Sequence, residues 1–561
     1  MRDSKILLLH NCDITLVICR CPICNKVYFP EHFRNLVPLN SIYGYDVINK
    51  IGELRYLELY QDRKIQDTIL EEKGFIIPLS TIGHLAKKYV DYVSTIHYSN
   101  APLLQKHFLK YGFILTLDGT YEGDTGIHFS MRDSETGVVL YNMKIKTENE
   151  KDVKAGVEEC IKLFGKPDAV VCDLSDSIRK AVKSALPDTP LLICHFHFLE
   201  NVGKSLLGDY RKELAGIIKK TGIISSLAEK RKALSKAIKK YQNKNNIIPN
   251  EEEAEFKKFL DGNLEADISD AQRKLYLPLA QLNWIADYKH ELNGEYYPFS
   301  IKEIAFVDKC IEAVKNLKKT FFKNKNTKDF GPIYSAYEKL KSFVRQNKLK
   351  SVYRKIKSAN DIFNKTRDFF RLNSSKNSPV SRVKLTDDNK SIIENFKSKM
   401  SDFEKVLKDD SNTESAEIVL EYIEKYRENL TGHTLIHGDD EDKIIINAPR
   451  TNNIMETLFG TFKRKLRQRI GTKKLTNNFK AMHPDEFLIE NLTNQKYLDI
   501  MFEGSIDNLI KQFPLFDNES KLTSEKRKKN NSCLTLKKSI LRNEDFSLNI
   551  TKSLKSFEKS A

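Results

Sequence analysis

The sequence contains no long apolar run. None of its 561 residues belongs to an apolar stretch of the roughly twenty residues that a membrane-spanning helix needs. The N-terminal segment KILLLHNCDITLVIC is apolar, but it is broken by His10, Asn11 and Asp13 and lacks the small-residue cleavage site of a secretory signal peptide. We therefore expect a cytoplasmic protein without a membrane partner.

Cysteine is also scarce, and its distribution does not suit a disulfide framework. The chain has 9 cysteines, an odd number, and four of them lie within the first 24 residues. This crowding favours metal binding over the paired cysteines of a secreted protein. The CPIC motif places Cys21 and Cys24 on one tight turn, as in a zinc knuckle, and Cys19 and His32 are candidates for the other two ligands. We assign residues 1–40 to a zinc knuckle; the alternative is a small β unit with buried free thiols.

Acidic residues are fewer than basic ones. The chain has 93 Lys and Arg residues against 76 Asp and Glu residues, which gives a formal net charge of +17. A surplus of this size favours a polyanionic partner, nucleic acid first, although a lysine-rich surface that follows from coding bias would give the same number. Tryptophan occurs once, at Trp284, which we expect to be a core residue rather than a platform for base stacking.

Residues 41–112 carry the pattern of two helices joined by a short break. The segment RKIQDTILEEKGFIIPLSTIGHLAKKYVDYV predicts a helix that ends at Gly74 and a second helix with Ser80 as its N-cap. This arrangement fits a helix-turn-helix module, and an ordinary helical hairpin fits the spacing equally well. Because the segment follows a zinc knuckle in a basic chain, we favour DNA binding, with Lys87 and Lys88 as candidate contacts.

Residues 113–200 change to strand patterns. FILTL, GIHFSMRD and GVVLYNMKI predict three strands, with SETG as the turn between the last two. We then predict a helix from Glu150 to Phe164, a strand that ends at Asp173, a helix capped by Ser175 and a buried strand, PLLICHFHF. A meander of three strands followed by a helix, a strand, a helix and a strand is the element order of an RNase H-like α/β core.

Two predicted strands of this core end in aspartate. Asp118 ends the first strand and Asp173 ends the fourth, and these strands are neighbours in an RNase H-like sheet. Two carboxylates held close together repel each other unless a cation lies between them, and Mg²⁺ or Mn²⁺ suits such oxygen ligands. A pair of metal ions could activate the attacking oxygen and stabilise the leaving oxygen in phosphodiester transfer. Glu456, near the start of a late helix, is the candidate third ligand.

The late helix becomes basic after its first turns. One face carries, at helical spacing, Asn452, Asn453, Glu456, Gly460 and Lys463. We expect Asn453 to support the site, and Lys463, Arg464 and Arg467 to continue that side as a surface for DNA phosphates. The alternative is an amphipathic surface helix whose Lys and Arg side chains are solvated.

Four blocks of the sequence resemble a known family. LDGTYEG, VVCDLSDS, CHFHFLENV and TNNIMETLFGTFKRK are similar to the Asp-Asp-Glu catalytic blocks of Mutator-like transposases and related bacterial and archaeal insertion-sequence transposases. The resemblance implies a DNA transposase with Asp118, Asp173 and Glu456 as its catalytic metal ligands. Cys194 and His197 match the C-x-x-H motif that this group carries between its second Asp and its Glu, and we expect them to support the site.

The resemblance also sets the expected organisation of the rest of the chain. The mostly helical, highly charged residues 201–440 resemble the all-α insertion domain of these enzymes, and residues 441–480 would return the chain to the catalytic core. Residues 481–561 are expected to form a C-terminal region with a basic flexible tail. The implied partners are element ends and target DNA, bound by a homodimer or higher oligomer at the prokaryotic nucleoid. Two alternatives are an RNase H-like nuclease without transposition and a domesticated DNA-binding protein.

Overall fold

The structure is a computed structural model whose described part covers most of the chain. It comprises residues 8–9, 19–28, 34–38, 41–260, 269–289, 302–321, 331–370, 372–374, 383–385, 389–438 and 444–518. The chain divides into two compact units, of which the first contains Met1–Cys194 and His433–Ala561 and the second contains His195–Gly432. The second unit is therefore inserted into the sequence of the first.

The first unit begins with a short hairpin and a group of helices. The hairpin strands β1 (Cys19–Arg20) and β2 (Val27–Tyr28) pair antiparallel. The helical elements that follow are α1 (Tyr45–Gly52), a π-helical turn (Glu53–Leu57), α2 (Asp62–Lys73), α3 (Leu79–Ser99) and α4 (Ala101–Tyr111). Their buried apolar side chains belong to the same hydrophobic core as those of the sheet described next, so these helices fold as part of the unit.

A five-stranded mixed sheet follows α4. Its elements in chain order are β3 (Ile114–Thr120), β4 (Ile127–Asp133), β5 (Val139–Ile145), α5 (Glu150–Phe164), β6 (Ala169–Cys172), α6 (Asp176–Ala185) and β7 (Leu191–Ile193). The strands lie in the order β5-β4-β3-β6-β7, with an antiparallel meander of β3, β4 and β5, and with β6 parallel to both β3 and β7. The predicted order of elements is confirmed, whereas β3 runs two residues beyond Asp118.

Two other predicted boundaries are wrong. Helix α3 begins at Leu79 with Pro78 in the N-cap position, so Ser80 is not the N-cap. The proline ring fixes φ, here at −58°, and that conformation leads the chain into the helix without a side-chain cap. The CHFHF segment is helical rather than extended, because β7 stops at Ile193 and a helix begins at His195. The buried residues of this helix recur at helical spacing, whereas the alternation of His and Phe in CHFHF had suggested a strand.

The second unit is nearly all helical within its described residues. It contains α7 (His195–Thr221), α8 (Ile223–Asn245), α9 (Pro249–Leu260), α10 (Asp270–Ala286), α11 (Lys302–Phe321), α12 (Gly331–Arg345), α13 (Asn347–Phe370), a small hairpin of β8 (Leu372–Ser374) and β9 (Val383–Leu385), α14 (Asn389–Lys408) and α15 (Thr413–Leu430). Trp284 is partly buried in α10, where the Lys309 Nζ lies 4.7 Å from its ring centroid. The first residue of the unit is held near its last helix, since His195 Nε2 lies 3.1 Å from the Leu430 oxygen.

After the insertion the chain adds a second hairpin to the first unit. Strands β10 (Thr434–His437) and β11 (Ile444–Asn447) pair antiparallel. Ile446 and Ala448 pack against Ile114, Ala169, Val171 and Leu192, which point from one face of the sheet. The hairpin thus covers the sheet face that carries Ile114 of β3 and Ala169 and Val171 of β6.

The remaining elements complete the main core of the first unit. They are α16 (Asn453–Ile470), α17 (Thr476–Ala481), a 3-10 segment (Pro484–Thr493), α18 (Gln495–Phe502) and α19 (Asp507–Gln512). Buried residues from Met455 to Phe513 pack with both the sheet and α1–α4. The expected basic tail begins within residues 519–561, which lie outside the described residues. None of the helices in the described ranges is long and apolar enough to cross a membrane.

Candidate active site

The register of the sheet brings Asp118 and Asp173 to the same level. Thr116 pairs with Val171 in the parallel β3–β6 ladder, and each aspartate lies two residues further along its strand or just past its end. Neighbouring strands are about 5 Å apart, so the register places the two aspartates at adjacent positions at one end of the sheet, Asp118 within β3 and Asp173 directly after β6.

Both aspartates are partly buried, and backbone N–H groups orient them. The Gly119 N–H donates to Asp118 Oδ1 over 2.7 Å, and the Ser175 N–H donates to Asp173 Oδ1 over 2.9 Å. Burial, followed by the negative charges of Asp173 and Asp118, raises the pKa of the Cys172 thiol well above its ordinary value. Both carboxylates therefore act electrostatically on the same buried strand end.

Asn452 fixes the start of helix α16 over this strand end. Its Nδ2 donates to the Leu117 carbonyl over 3.2 Å, and its backbone N–H donates to the Cys194 Sγ over 3.2 Å. The Ser134 N–H bonds to the Ile114 oxygen, so alternation along β3 directs the Leu117 carbonyl away from β4 and toward β6. Asn452 therefore lies across the end of β6, between the strands that lead to the two aspartates.

Two contacts show which side of α16 lies next to the end of β3, and the first is the hydrogen bond from Asn452 to Leu117. Lys463, further along the helix, donates from Nζ to the Tyr121 oxygen over 2.8 Å, just beyond the end of β3. On a helical projection Glu456 lies within about 40° of both Asn452 and Lys463. Glu456 therefore lies on the same side of α16 as Asn452 and Lys463, one turn after Asn452, with an exposed side chain.

Asn452 itself carries an unusual buried acceptor. The residue is fully buried, and within the described part of the chain its Oδ1 has no hydrogen-bond partner. Because Nδ2 must face the Leu117 carbonyl, the amide orientation is determined and Oδ1 points away from it. Asn452 lies on the face that the helical spacing predicted, but the supporting role was predicted for its neighbour Asn453, which is partly buried as the first residue of α16.

A further carboxylate, Glu148, was missed by sequence analysis. Burial and the charge of Asp173 raise the pKa of Glu148, and a hydrogen bond from the Ser175 side chain acts in the opposite direction. A Cβ at Gly119 would lie 2.7 Å from the Glu148 Oε1, so the glycine makes room for this carboxylate next to β3. The only sequence signal was its place between a strand and the Asn149 cap of α5.

The predicted phosphate-binding side chains have partners within the protein. Lys463 Nζ lies 3.6 Å from Glu122 Oε2, and Arg467 Nη2 lies 3.5 Å from Glu122 Oε1. Arg464 is exposed, with Nη2 3.4 Å from the Thr461 hydroxyl. Burial lowers the pKa of Lys463, and Glu122 acts in the opposite direction. The basic stripe exists as predicted in position, but two of these three cations face one carboxylate.

The two members of the C-x-x-H motif lie in different units. Cys194 is buried at the end of the first unit, where its thiol accepts the Asn452 N–H. His197 lies in the first turn of α7 and is partly buried in the second unit. A supporting role for Cys194 thus has a defined contact in the structure.

The N-terminal cysteines form the tight turn that the CPIC motif predicts. The Cys21 N–H bonds to the Lys26 oxygen and the Asn25 N–H to the Cys21 oxygen, at 2.8 and 3.0 Å. Backbone hydrogen bonds from Cys24 and Ile23 lower the pKa of the Cys21 thiol, which favours the thiolate that binds zinc. The side chain of Cys19, and His32, lie outside the described residues, so the other two proposed ligands have no described position.

The candidate DNA contacts of the helical pair lie toward the middle of α3. Lys87 is exposed, and Lys88 is partly buried with its Nζ 5.6 Å from the Tyr92 ring centroid. From Tyr89 to His97 every residue of α3 is buried. The stretch from Tyr89 to His97 therefore offers no exposed side chain for a groove contact.

The donor set fits magnesium as a pair rather than as a preformed triad. Within the described parts of the chain, no three Asp, Glu, His or Cys side chains already form a group that could hold a metal ion. Asp118 and Asp173 offer hard oxygen ligands side by side, and Mg²⁺ is commonly held by one or two carboxylates together with water and substrate phosphate. No known family model matches the chain, and no curated protein shows significant sequence similarity to it.

Proposed function

We propose that the protein is a DNA transposase that cleaves phosphodiester bonds and transfers strands in a metal-dependent reaction. The observation that carries the proposal is the convergence at the end of β6. Asp118 and Asp173 occupy adjacent positions at one end of the sheet, and Asn452 anchors the Glu456 helix to the same place. An RNase H-like core with these carboxylates is what the four resembling sequence blocks imply.

Each group has a role in the proposed reaction. Asp118 and Asp173 would hold Mg²⁺ or Mn²⁺, with Glu456 as the third carboxylate. When bound, the metal would stabilise charge on the attacking and leaving oxygens of the phosphodiester. Asn452 keeps the Glu456 helix at the strand ends, and the basic stripe of α16 binds the DNA backbone beside the site.

Asp118→Asn tests the proposal. We expect it to abolish nicking of supercoiled plasmid in Mg²⁺ or Mn²⁺ while DNA binding stays nearly intact, because binding depends mainly on phosphate contacts elsewhere. Mg²⁺ should raise the melting temperature of the natural protein and not that of the variant, since a ligand stabilises only the state that binds it. Asp188→Asn, an exposed residue between α6 and β7, is the matched control and should behave like the natural protein.

Undiminished nicking by Asp118→Asn would remove this residue from the site and the catalytic proposal with it. Nicking without strand transfer would indicate a nuclease, and DNA binding without nicking would indicate a DNA-binding protein. Terminal inverted repeats flanking the gene would distinguish a transposase from a nuclease independently of the protein chemistry.

A further inference from the structure

The segment that follows β3 folds back onto the basic stripe of α16. Tyr121 and Glu122 come directly after the last residue of β3, only a few residues from Asp118. The Tyr121 carbonyl accepts the Lys463 Nζ over 2.8 Å, and the Glu122 carboxylate lies between Lys463 and Arg467. This segment therefore occupies the part of α16 that sequence analysis assigned to DNA.

The carboxylate of Glu122 uses each oxygen for a different cation. Oε2 lies 3.6 Å from Lys463 Nζ, and Oε1 lies 3.5 Å from Arg467 Nη2. One negative charge shared over two oxygens and held by a lysine and an arginine is also the pattern by which proteins hold a phosphodiester. Glu122 thus resembles a backbone phosphate in charge and in the number of its contacting oxygens.

The cations are held in place by other contacts. The Lys463 Nζ lies 5.3 Å from the Phe479 ring centroid, and the Arg467 Nε donates to the Lys473 oxygen over 3.2 Å. Both side chains would therefore stay in position if the Glu122 carboxylate moved away, because neither is oriented by Glu122 alone.

The contacts of Glu122 are of a kind that a ligand can replace. Both distances exceed the roughly 2.7–2.9 Å of a strong charge-assisted hydrogen bond. The side chains are partly exposed, with 20% for Lys463, 41% for Arg467 and 24% for Glu122. Ion pairs of such side chains contribute little to stability and are screened by salt, so exchanging the carboxylate for a phosphate has a small energetic cost.

We propose that Glu122 is an internal substitute for a DNA phosphate, which occupies the Lys463–Arg467 site until a phosphodiester of the bound strand displaces it. The proposal rests on the function proposed above and defines how its DNA surface is regulated. It predicts that Glu122 competes with DNA. Removing its charge, without altering either cation, should therefore strengthen DNA binding.

The experiment compares Glu122→Gln with Glu490→Gln in the full-length protein. Glu490 pairs with Lys465 on the same helix, at 2.7 Å, but on the far side of the helix from Lys463. Both substitutions change the net charge by the same amount; Glu122→Gln removes two ion pairs with α16 and Glu490→Gln removes one. Binding of a fluorescent duplex of random sequence is measured by anisotropy over a range of salt concentrations, and thermal melting verifies that each variant is folded.

We expect Glu122→Gln to bind the duplex about threefold to tenfold more tightly at low salt. The slope of log affinity against log salt should steepen by about 1, since each additional phosphate that the protein neutralises adds about 0.9 and the Lys463–Arg467 site takes one phosphate. Glu490→Gln should match the natural protein in both respects. Adding Arg467→Gln to Glu122→Gln should cancel the gain.

Other outcomes overturn the proposal. Equal gains in DNA affinity in Glu122→Gln and Glu490→Gln would show an effect of net charge alone. No gain in either variant would show that Glu122 does not compete with DNA. A gain that survives the addition of Arg467→Gln would show that the DNA binds elsewhere. Plasmid nicking by the same samples separates the two proposals. Nicking by the natural protein without a Glu122 effect defeats only this inference, whereas a Glu122 effect without metal-dependent nicking defeats only the proposed transposase.

Discussion

Asn452→Ala tests whether one buried amide positions the proposed catalytic helix. The substitution removes the 3.2 Å hydrogen bond from Nδ2 to the Leu117 carbonyl but keeps the backbone N–H that donates to Cys194. Leaving a buried carbonyl without a partner costs about 1–3 kcal/mol. The same change also removes the buried Oδ1 that has no partner among the described residues, so part of this cost is offset. We expect a net loss of about 0–2 kcal/mol in unfolding free energy.

Asn491→Ala is the matched control for this prediction. Asn491 is equally buried, and its amide makes two 2.8 Å hydrogen bonds, one with the N–H and one with the carbonyl of Val139 on the edge strand β5. Removing both leaves two unsatisfied backbone groups at about 1–3 kcal/mol each, so its unfolding free energy should fall by about 2–6 kcal/mol. It lies by the opposite edge of the sheet from β7, away from the aspartate pair.

The two variants should therefore rank in opposite order in two assays. Denaturant titration should find Asn491→Ala the less stable, while plasmid nicking per folded molecule should be lost mainly in Asn452→Ala. A displacement of about 1 Å in a catalytic group can reduce a rate about 100-fold, and we expect a loss of that order. If Asn452→Ala nicks DNA at the natural rate after correction for its folded fraction, Asn452 does not position Glu456.

Two further predictions concern the zinc knuckle and the β10–β11 hairpin. Cys21→Ser should remove bound zinc from the protein and weaken binding to element ends while nicking of pre-bound DNA survives; metal analysis that finds no zinc in the natural protein would retire the knuckle. His437 has Nδ1 2.7 Å from Asp168 Oδ1 and Nε2 3.2 Å from the Leu109 oxygen, so both ring nitrogens face acceptors, as imidazolium requires. Burial opposes the charged form, but the hydrogen bonds and the Asp168 charge together raise the pKa of His437. The contribution of protonated His437 to the unfolding free energy should be complete below the ordinary histidine pKa and lost as pH rises through the raised pKa. The melting temperature of the natural protein should therefore fall more between about pH 6 and 8 than that of His437→Gln. Equal falls in the two proteins would contradict this.

Local sequence signals predicted most elements of the sheet correctly. The strands before and after SETG, the helix that ends at Gly165 and the helix that carries Glu456 all lie where periodicity and turn residues place them. These signals come from residues close together in the chain. The wrong prediction of a strand at CHFHF also has a local cause. Two aromatic residues with one residue between them are compatible with a strand and with the start of a helix.

The contacts that define the candidate site could not be predicted in this way. Asn452 and Leu117 are 335 residues apart, and Asn452 and Cys194 are 258 apart. Glu148 lies against β3 only because Gly119 leaves space, and Glu122 meets α16 only because β3 ends beside that helix. Each of these facts depends on the packing of distant segments, about which periodicity carries no information.

The position of the insertion follows from the same packing. In the second unit His195 lies beside Leu430, so the chain enters and leaves that unit at neighbouring points. In the first unit the chain leaves at Cys194, whose thiol accepts the Asn452 N–H, and after it returns the Ala448 N–H bonds to the His433 oxygen over 2.7 Å. Contacts within each unit thus hold the segments at which the chain leaves and returns. The folding of the sheet therefore has only a small additional cost in loop-closure entropy from a helical insertion of this length. The residue at which the insertion departs is thus also the one that holds the start of the Glu456 helix, so an insertion between β7 and α16 can be large without separating the three proposed carboxylates.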